Sequence, residues 1–214
     1  MTSSPLCAIV DADASARAGW QLLDLARACL DGGARFLQLR AKSMPGADLL
    51  EASTRLVALA RRFDATVVIN DRADIAALSG ADGVHVGQED LAPDDVRRVV
   101  GDRAIVGLST HTIDQLDAAA TAPVSYLAIG PVFGTSTKDT GYDAVGLEMV
   151  REASRRAAAR GLPLVAIGGI TLGRAASVIE AGASSVAVIG DLLVGDDPRK
   201  RTREFLARLG RAHV

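Results

Sequence analysis

The feature that most constrains the fold is the regular alternation of short apolar runs with amphipathic segments along the chain. The apolar runs predict strands over residues 6–10, 36–42, 66–70, 83–86, 104–108, 125–129, 164–167 and 185–189. The amphipathic segments predict helices over residues 17–31, 47–62, 71–78, 93–100, 112–122, 146–160, 171–181 and 197–210. Alternating strands and helices favour parallel strands, because each helix returns the chain to the edge at which the previous strand began.

Eight strand–helix units within 214 residues predict an α/β fold, a (β/α)8 TIM barrel, with residues 1–214 as one domain. An open, doubly wound sheet is the alternative that the alternation leaves. Hydrophobic residues make up 49% of the chain and are mostly aliphatic, which suits strands covered by helices. No linker-like or low-complexity segment interrupts the pattern.

Charge and cysteine usage exclude several classes of partner. The net charge of −2 gives no general attraction to nucleic acid or to an anionic membrane. No apolar run approaches the length of a membrane span, and no basic-then-apolar leader opens the sequence. Cys7 and Cys29 form neither a disulfide framework nor a metal-binding spacing, and they suit a reducing compartment. We therefore expect a cytoplasmic protein, and the sequence leaves a homo-oligomer open.

The second predicted strand, residues 36–42, carries unusual charge. Side chains alternate along a strand, so Gln38, Arg40 and Lys42 share one face. Buried charge is costly unless it is paired. These side chains therefore indicate either the mouth of a cavity that holds an anion or a structural network of ion pairs.

Polar residues follow every predicted strand, at the end of a barrel where active sites form. They are Asp11; Gln38, Arg40 and Lys42; Asn70 and Asp71; Gln88, Glu89 and Asp90; Ser109, Thr110 and His111; Thr135, Ser136, Thr137 and Lys138; Gly168 and Gly169; and Gly190 and Asp191. This distribution predicts a binding site at the carboxyl ends of the strands.

Glycines after the last two strands indicate a phosphate site. Gly168 and Gly169 precede a predicted helix, and Gly190 follows the next strand. Backbone N–H groups and a helix N-terminus at this place hold phosphate in many barrels. The alternative is a tight turn that requires a positive φ angle.

Asp71 and Asp90 follow neighbouring strands, so their carboxylates could converge on a metal ion. Mg²⁺ takes one or two carboxylates together with phosphate oxygens of a substrate. The alternatives are that Asp71 caps the following helix and that Asp90 orders the loop before Pro93.

Arg40, Lys42 and Lys138 add positive charge to the same mouth. With a divalent metal they favour a diphosphate or two separate phosphates. Salt bridges to the two acids are the alternative. Such bridges are compatible with the empty state, and we expect a diphosphate and Mg²⁺ to replace them on binding.

The long segment 130–145 contains the hydroxyl-rich run from Thr135 to Lys138, and either a binding loop or a solvated surface loop accounts for it. His85 lies within a strand, which predicts a hydrogen-bonded core histidine. His111 lies in a mouth loop. Neither is expected to act as an acid or base.

Six motifs occur in order along the chain: QLRAK at 38–42, INDR at 69–72, ADGVHVGQED at 81–90, GLSTHT at 107–112, GPVFGTSTK at 130–138 and AIGGI at 166–170. Together they resemble the motifs of the thiamine phosphate synthase family. The resemblance implies a (β/α)8 barrel that joins a pyrimidine methyl diphosphate to a thiazole phosphate, giving thiamine phosphate and pyrophosphate.

The resemblance also implies roles for single residues. The pyrimidine diphosphate would be held by Gln38, Arg40, Lys42, Asn70, Ser109 and Lys138, of which Arg40, Lys42, Ser109 and Lys138 form the implied catalytic set. Mg²⁺ would be held by Asp71 and Asp90. The thiazole phosphate would be held by Thr135, Ser136 and Thr137 and by the chain at Gly168, Val188 and Ile189. The partners implied are small phosphorylated molecules.

Two departures from the family pattern stand out. Ala41 replaces an acid, and it is expected to point toward the helices with little effect. The segment from Val188 to Asp191 lacks the serine that the family usually has after the last strand, and Asp191 would repel phosphate if it pointed inward. Two other functions remain open: a thiazole tautomerase-like isomerase, against which the retained cations and acids speak, and a non-catalytic barrel that binds a phosphorylated ligand.

Overall fold

A computed structural model describes residues 4–134 and 142–210. Within them, eight parallel strands pair in chain order, and the eighth closes on the first. The strands are β1 (Leu6–Asp11), β2 (Phe36–Arg40), β3 (Thr66–Asn70), β4 (Gly83–Val86), β5 (Ile105–Thr110), β6 (Tyr126–Ile129), β7 (Leu164–Ile167) and β8 (Ser185–Val188). The predicted (β/α)8 barrel is confirmed, and the open sheet is wrong.

Helices cover the outside of the barrel. They are α1 (Ala12–Arg17), α2 (Leu22–Asp31), α3 (Gly46–Arg61), α4 (Ala73–Ser79), α5 (Pro93–Val100), α6 (Ile113–Ala119), α7 (Gly146–Ala159), α8 (Leu172–Glu180) and α9 (Pro198–Gly210). A short 3-10 helix, Gly190–Leu193, lies between β8 and α9. None of the helices within the described ranges combines the length and the apolar character that a membrane crossing requires.

The single helix predicted over residues 17–31 is wrong. The Asp11 carboxylate accepts a hydrogen bond from Ala14 N at 2.8 Å, so a first helix begins directly after β1. The chain then turns at Gly19, whose φ of +75° is open to glycine at little cost, and α2 begins at Leu22. The sequence pattern showed only the second, longer apolar stripe.

Strand alternation separates two apolar layers. The barrel interior is filled by Cys7, Ile9, Phe36, Val68, Tyr126, Ala128, Val165 and Ala187. The neighbouring strand residues, Leu37 and Leu39 among them, face the helices in the larger outer core. Ala41 also belongs to this outer core, so the replacement of an acid there does not reach the barrel mouth, as expected.

Backbone hydrogen bonds join the two flanks of the segment that follows β6. Val145 N and Gly146 N donate to the carbonyls of Pro131 and Val132, at 2.8 and 3.0 Å, so the two flanks of the segment meet. Val132 N also donates to the Ile167 carbonyl, which links the first flank to the end of β7. Thr135, Ser136, Thr137 and Lys138 lie outside the described residues.

Candidate active site

Two adjoining pockets open at the carboxyl ends of the strands, with volumes of about 230 and 290 Å³. Both are lined by Ser109, His111, Ile167 and Ile189, which we call the shared wall. The smaller one lies over β2 to β5 and is called the charged pocket. The larger one lies over β6 to β8 and is called the glycine pocket.

The charged pocket brings together the sequence-predicted residues in and after β2 to β5. Its lining includes Gln38, Arg40, Lys42, Asn70, Asp71, Asp90 and Ser109. The strand residues among them occupy the inward-facing positions that alternate with the outer core, which is why the pattern in β2 predicted a shared face. Lys42 lies beyond the end of β2, which stops at Arg40.

Arg40 forms an ion pair with Asp11 across the first two strands. The side chains are only 13% and 3% exposed, so the pair is nearly buried. The second oxygen of Asp11 is the one that caps α1, so the carboxylate is fixed from two sides. Asp11 was predicted at the mouth, but its pairing with Arg40 was not, because a contact between side chains on different strands leaves no local pattern. The ion-pair alternative for β2 is therefore correct for Arg40.

Lys42 reaches Asp71, with 3.3 Å between Nζ and Oδ2, so the salt-bridge alternative is correct for Lys42 in this state. Burial raises the pKa of Asp71, the charge of Asp90 raises it further, and Lys42 opposes both. Asp71 does not cap α4: the N-cap position is Arg72, which makes no side-chain cap hydrogen bond. Asp71 instead has a φ of +64°, and its side chain faces the pocket lining. The capping alternative is wrong.

Asp90 orders its own loop, as the alternative prediction held, because its Oδ2 accepts from Gly87 N at 2.7 Å. It also lies close enough to Asp71 to raise that pKa through charge and hydrogen bonding. No group of three or more His, Cys, Asp or Glu residues able to hold a metal occurs among the described residues. Two adjacent carboxylates still match Mg²⁺, which completes its shell with water and substrate phosphate oxygens. The donor set fits, and Mg²⁺ stays a prediction.

The glycine pocket is built on Gly168 and Gly169, whose φ angles are +102° and +61°. A Cβ atom on Gly168 would lie 2.5 Å from Pro131, and one on Gly169 would lie 2.5 Å from the Gly134 carbonyl oxygen. The turn alternative is thus correct, and the same geometry brings backbone close to the pocket. Val188 contributes its chain to the lining, while its side chain belongs to the outer core.

Asp191 does not present a free carboxylate to this pocket. Its Oδ2 accepts from Leu172 N at 2.9 Å and from Arg201 Nη2 at 2.7 Å. Thr171 occupies the N-cap position of α8 but makes no side-chain cap hydrogen bond. The Asp191 carboxylate, from the 3-10 helix after β8, accepts the hydrogen bond that the first N–H group of α8 needs. Arg201 largely neutralises its charge, and with it the expected repulsion of phosphate.

Arg174 is a pocket residue that sequence reasoning missed. It lies in the first turn of α8 and is the one cationic side chain lining the described part of the glycine pocket. Its guanidinium stacks 4.7 Å above the Phe133 ring and donates to the Gly169 carbonyl at 3.2 Å. A cation in the first helical turn opposes the helix dipole. That mismatch is the signal that could have identified Arg174.

The two mouth histidines have structural partners. His85 lies in β4 between Tyr126 and Ser109, 2.8 Å from each hydroxyl oxygen, which confirms the predicted core histidine. His111 Nδ1 lies 2.5 Å from the Gly130 carbonyl oxygen, and its ring stacks on Tyr142 with centroids 4.0 Å apart.

Comparisons with known proteins agree with one another. A family model described as thiamine monophosphate synthase matches residues 6–192. The chain is 47% identical over 203 residues to the thiamine-phosphate synthase of Koribacter versatilis, which covers 94% of this chain and 93% of that one. It is 43% identical over 196 residues to the thiamine-phosphate synthase of Thermus thermophilus, with 90% and 93% covered. The solved thiamine phosphate pyrophosphorylase from Pyrococcus furiosus superimposes with a TM-score of 0.88 at 29% identity, covering 98% of this chain and 97% of that one.

Proposed function

The chain belongs to the thiamine monophosphate synthase family, and we propose that its two pockets divide the substrates of one condensation between them. The enzyme joins 4-amino-2-methyl-5-pyrimidinylmethyl diphosphate to a thiazole phosphate, giving thiamine phosphate and pyrophosphate. We assign the diphosphate to the charged pocket and the thiazole phosphate to the glycine pocket. The observation that carries this assignment is the shared wall, across which two ligands would meet.

Charge balance supports a metal in the charged pocket. Among the residues that the structure describes, the lining contains two cations, Arg40 and Lys42, and three carboxylates, those of Asp71, Glu89 and Asp90. These side chains alone would repel a diphosphate, so a further cation is needed. We propose Mg²⁺ at Asp71 and Asp90, with Lys138 as a third basic residue. When bound, Mg²⁺ would neutralise the charge that builds on the departing pyrophosphate.

The basic residues of the chain would share that task. Arg40 has five N–H donors, so it can keep its bond to Asp11 while other donors reach the diphosphate. Lys42 would exchange Asp71 for a phosphate oxygen, since its side chain is 52% exposed and its ion pair is correspondingly weak. Gln38 and Asn70 offer amide donors and acceptors that suit the edge of an aminopyrimidine.

Departure of pyrophosphate leaves a pyrimidine-stabilised methyl cation, which the thiazole nitrogen attacks. No strong general base is required, so positioning supplies much of the remaining catalysis. Ile167 and Ile189 in the shared wall would limit water near the cation. In the glycine pocket, Arg174 and the backbone at Gly168, Gly169 and Ile189 would hold the thiazole phosphate, in place of the serine hydroxyl that the segment after β8 lacks.

The test is release of pyrophosphate from the two authentic substrates with Mg²⁺. We expect release that requires both substrates and the metal, and we expect Asp71→Ala to lose the Mg²⁺ dependence with a large fall in rate. Ligand binding without turnover would instead indicate the non-catalytic barrel, and isomerisation of a thiazole without pyrophosphate release would indicate the tautomerase. A fully active Asp71→Ala enzyme would refute the metal assignment.

The proposal includes a cytoplasmic location and phosphorylated small molecules as the ligands. The two cysteines support the location, because both are buried free thiols, as is usual in a reducing compartment.

A further inference from the structure

Three hydrogen-bonded polar side chains form a series that runs from the barrel interior to the shared wall. The Tyr126 hydroxyl lies 2.8 Å from His85 Nδ1, and His85 Nε2 lies 2.8 Å from Ser109 Oγ. Tyr126 is 1% exposed and His85 is 8% exposed, while Ser109 lines both pockets. This hydrogen-bonded series therefore links the buried phenol of Tyr126 to the Ser109 hydroxyl, which lies where the two pockets meet.

Gly107 shows that the fold is built around this contact. A Cβ atom at position 107 would overlap the Tyr126 hydroxyl and would lie 2.5 Å from His85 Nδ1. Gly107 has no positive φ angle, so backbone conformation does not require glycine there. The space that the missing Cβ leaves is the space in which the phenol meets the imidazole.

The direction of the first hydrogen bond follows from what surrounds the phenol. Tyr126 packs against Phe36 and the His85 ring, and burial raises its pKa well above the ordinary value, so it keeps its proton. Within residues 4–134 and 142–210, His85 Nδ1 is the hydrogen-bond partner of that hydroxyl. A buried O–H without an acceptor is costly, so Tyr126 donates and Nδ1 accepts.

The direction of the second bond then follows from the chemistry of imidazole. In a neutral ring one nitrogen carries hydrogen when the other accepts, so Nε2 carries the hydrogen and donates to Ser109 Oγ. Since Ser109 Oγ accepts this hydrogen bond from His85 Nε2, the hydroxyl hydrogen of Ser109 points away from His85. The directions open to it are the two pockets that Ser109 lines.

We propose that Tyr126 and His85 are positioning residues that fix Ser109 as a hydrogen-bond donor to the diphosphate substrate. The inference rests on the proposed function for the identity of the ligand, while the hydrogen-bond directions depend only on the geometry above. Gln88 supports the same residue from the other side, because its Nε2 donates to the Ser109 carbonyl at 2.7 Å.

The deciding measurement is the tautomer of His85 by ¹⁵N NMR on histidine-labelled protein without substrates. The chain has three histidines, and the His85→Asn variant identifies the signals of His85 by their loss. We expect an acceptor-type shift at Nδ1 and an N–H-type shift at Nε2. In Tyr126→Phe we expect both tautomers to be populated, whereas Tyr142→Phe, which removes the other tyrosine hydroxyl of the chain, should leave His85 unchanged.

Hydrogen on Nδ1 in the unmodified protein would overturn the proposal. This result is independent of turnover, so it is separable from failure of the proposed function. It also stands if Tyr126→Phe proves unable to fold.

Kinetics test the link to Ser109. We expect Tyr126→Phe to reduce kcat for pyrophosphate release about 10-fold, and Ser109→Ala to reduce it about 100-fold. The double variant should be no slower than Ser109→Ala, because the phenol acts through that hydroxyl. Multiplicative effects of the two substitutions would contradict the proposal, since a merely structural role for Tyr126 would persist without Ser109.

Discussion

At the scale of single residues, the mouth of the barrel depends on ion pairs that hold its cations in place. Asp11 has two functions, because one oxygen pairs with Arg40 and the other caps α1. Removing one partner of a nearly buried pair leaves an uncompensated charge. The two functions can be separated, since asparagine caps helices as well as aspartate does but carries no charge.

We therefore expect Asp11→Asn to lower the free energy of unfolding by about 3 kcal/mol through the loss of charge pairing alone. Asp11→Ala should lose about 1 kcal/mol more, because the cap is lost as well. Urea unfolding measures both. Asp13→Asn is the matched control, as the exposed Asp13 carboxylate has no ion pair among the described residues and accepts a hydrogen bond from Ser43, and its replacement should change stability by less than about 0.5 kcal/mol. An Asp11→Asn protein as stable as the control would show that the pair is not needed.

The raised pKa of Asp71 predicts a pH effect on metal binding. Burial and Asp90 favour the protonated form, and a protonated carboxyl is a poor metal ligand. As the pH falls toward the raised pKa, we expect the Mg²⁺ concentration for half-maximal pyrophosphate release to increase. Asp74→Asn, whose exposed carboxylate has its pKa lowered by Arg72, should leave this dependence unchanged. A half-maximal concentration that is constant across the acid range would contradict the assignment of Asp71 as a ligand.

The raised pKa of Asp71 also affects the free energy of unfolding, with the opposite dependence on pH: metal binding weakens as the pH falls, whereas this contribution to stability is lost as the pH rises. In metal-free protein, Asp71 binds its proton more tightly when folded than when unfolded. Its stabilising contribution is therefore present below the ordinary carboxyl pKa and is lost as the pH rises through the raised value. Mg²⁺ should restore stability above that range, because it binds the ionised pair only in the folded protein.

At the scale of elements, Asp191 joins three pieces of structure. It belongs to the 3-10 helix after β8, accepts from the first N–H of α8 and binds Arg201 of α9. Arg201 Nε also donates to the Asp191 carbonyl at 3.0 Å. One residue of the 3-10 helix therefore links the elements that border the far side of the glycine pocket.

For Asp191→Ala we expect a loss of about 2 kcal/mol of stability, since the substitution removes a cap and a partly buried ion pair. We also expect a higher KM for the thiazole phosphate with little change in KM for the diphosphate, because Asp191 borders the glycine pocket alone. Asp191→Asn keeps the acceptor for Leu172 N and should lose about half as much stability. Steady-state kinetics with each substrate varied in turn check the split, and equal changes in both KM values would argue against it.

The sequence predicted all eight strands, because apolar runs and the polar residues that end them are local patterns. It also placed Gln38 and Arg40 on one inward face, since side-chain alternation is fixed by strand geometry. It could not pair Arg40 with Asp11 or Leu172 with Asp191, because those contacts join distant segments and depend on the closed barrel. The missed break near Gly19 has a local origin instead, because α1 has only 6 residues and shows no apolar stripe of its own beside the longer stripe of α2.

At the scale of the whole molecule, two buried thiols couple stability to alkaline pH. Burial raises the pKa of Cys29 from 9.0 to about 11, although a hydrogen bond with Thr202 lowers it, and burial raises the pKa of Cys7 further. The folded protein therefore keeps both thiols protonated where the unfolded chain loses those protons. This contribution is complete below the ordinary thiol pKa and is lost as the pH rises through the raised values.

We expect the free energy of unfolding to fall between pH 9 and 11, with Cys29 accounting for about 2 kcal/mol of the loss. The Cys7→Ala/Cys29→Ala variant should start from a lower stability because of the cavities it creates, but it should lose less as the pH rises. Urea unfolding across this range compares the two slopes. Parallel slopes would show that the thiols titrate alike in the folded and unfolded states.

The shared wall of Ser109, His111, Ile167 and Ile189 bears on what happens after the bond has formed. Thiamine phosphate carries the pyrimidine and the thiazole phosphate in one molecule, so under the proposed division of substrates it would reach across that wall and occupy both pockets together. Each half then holds the other at a high effective concentration, an advantage that neither separate substrate has. The product would then be a bivalent ligand of its own enzyme, and we expect its slow departure to restrain synthesis once thiamine phosphate accumulates.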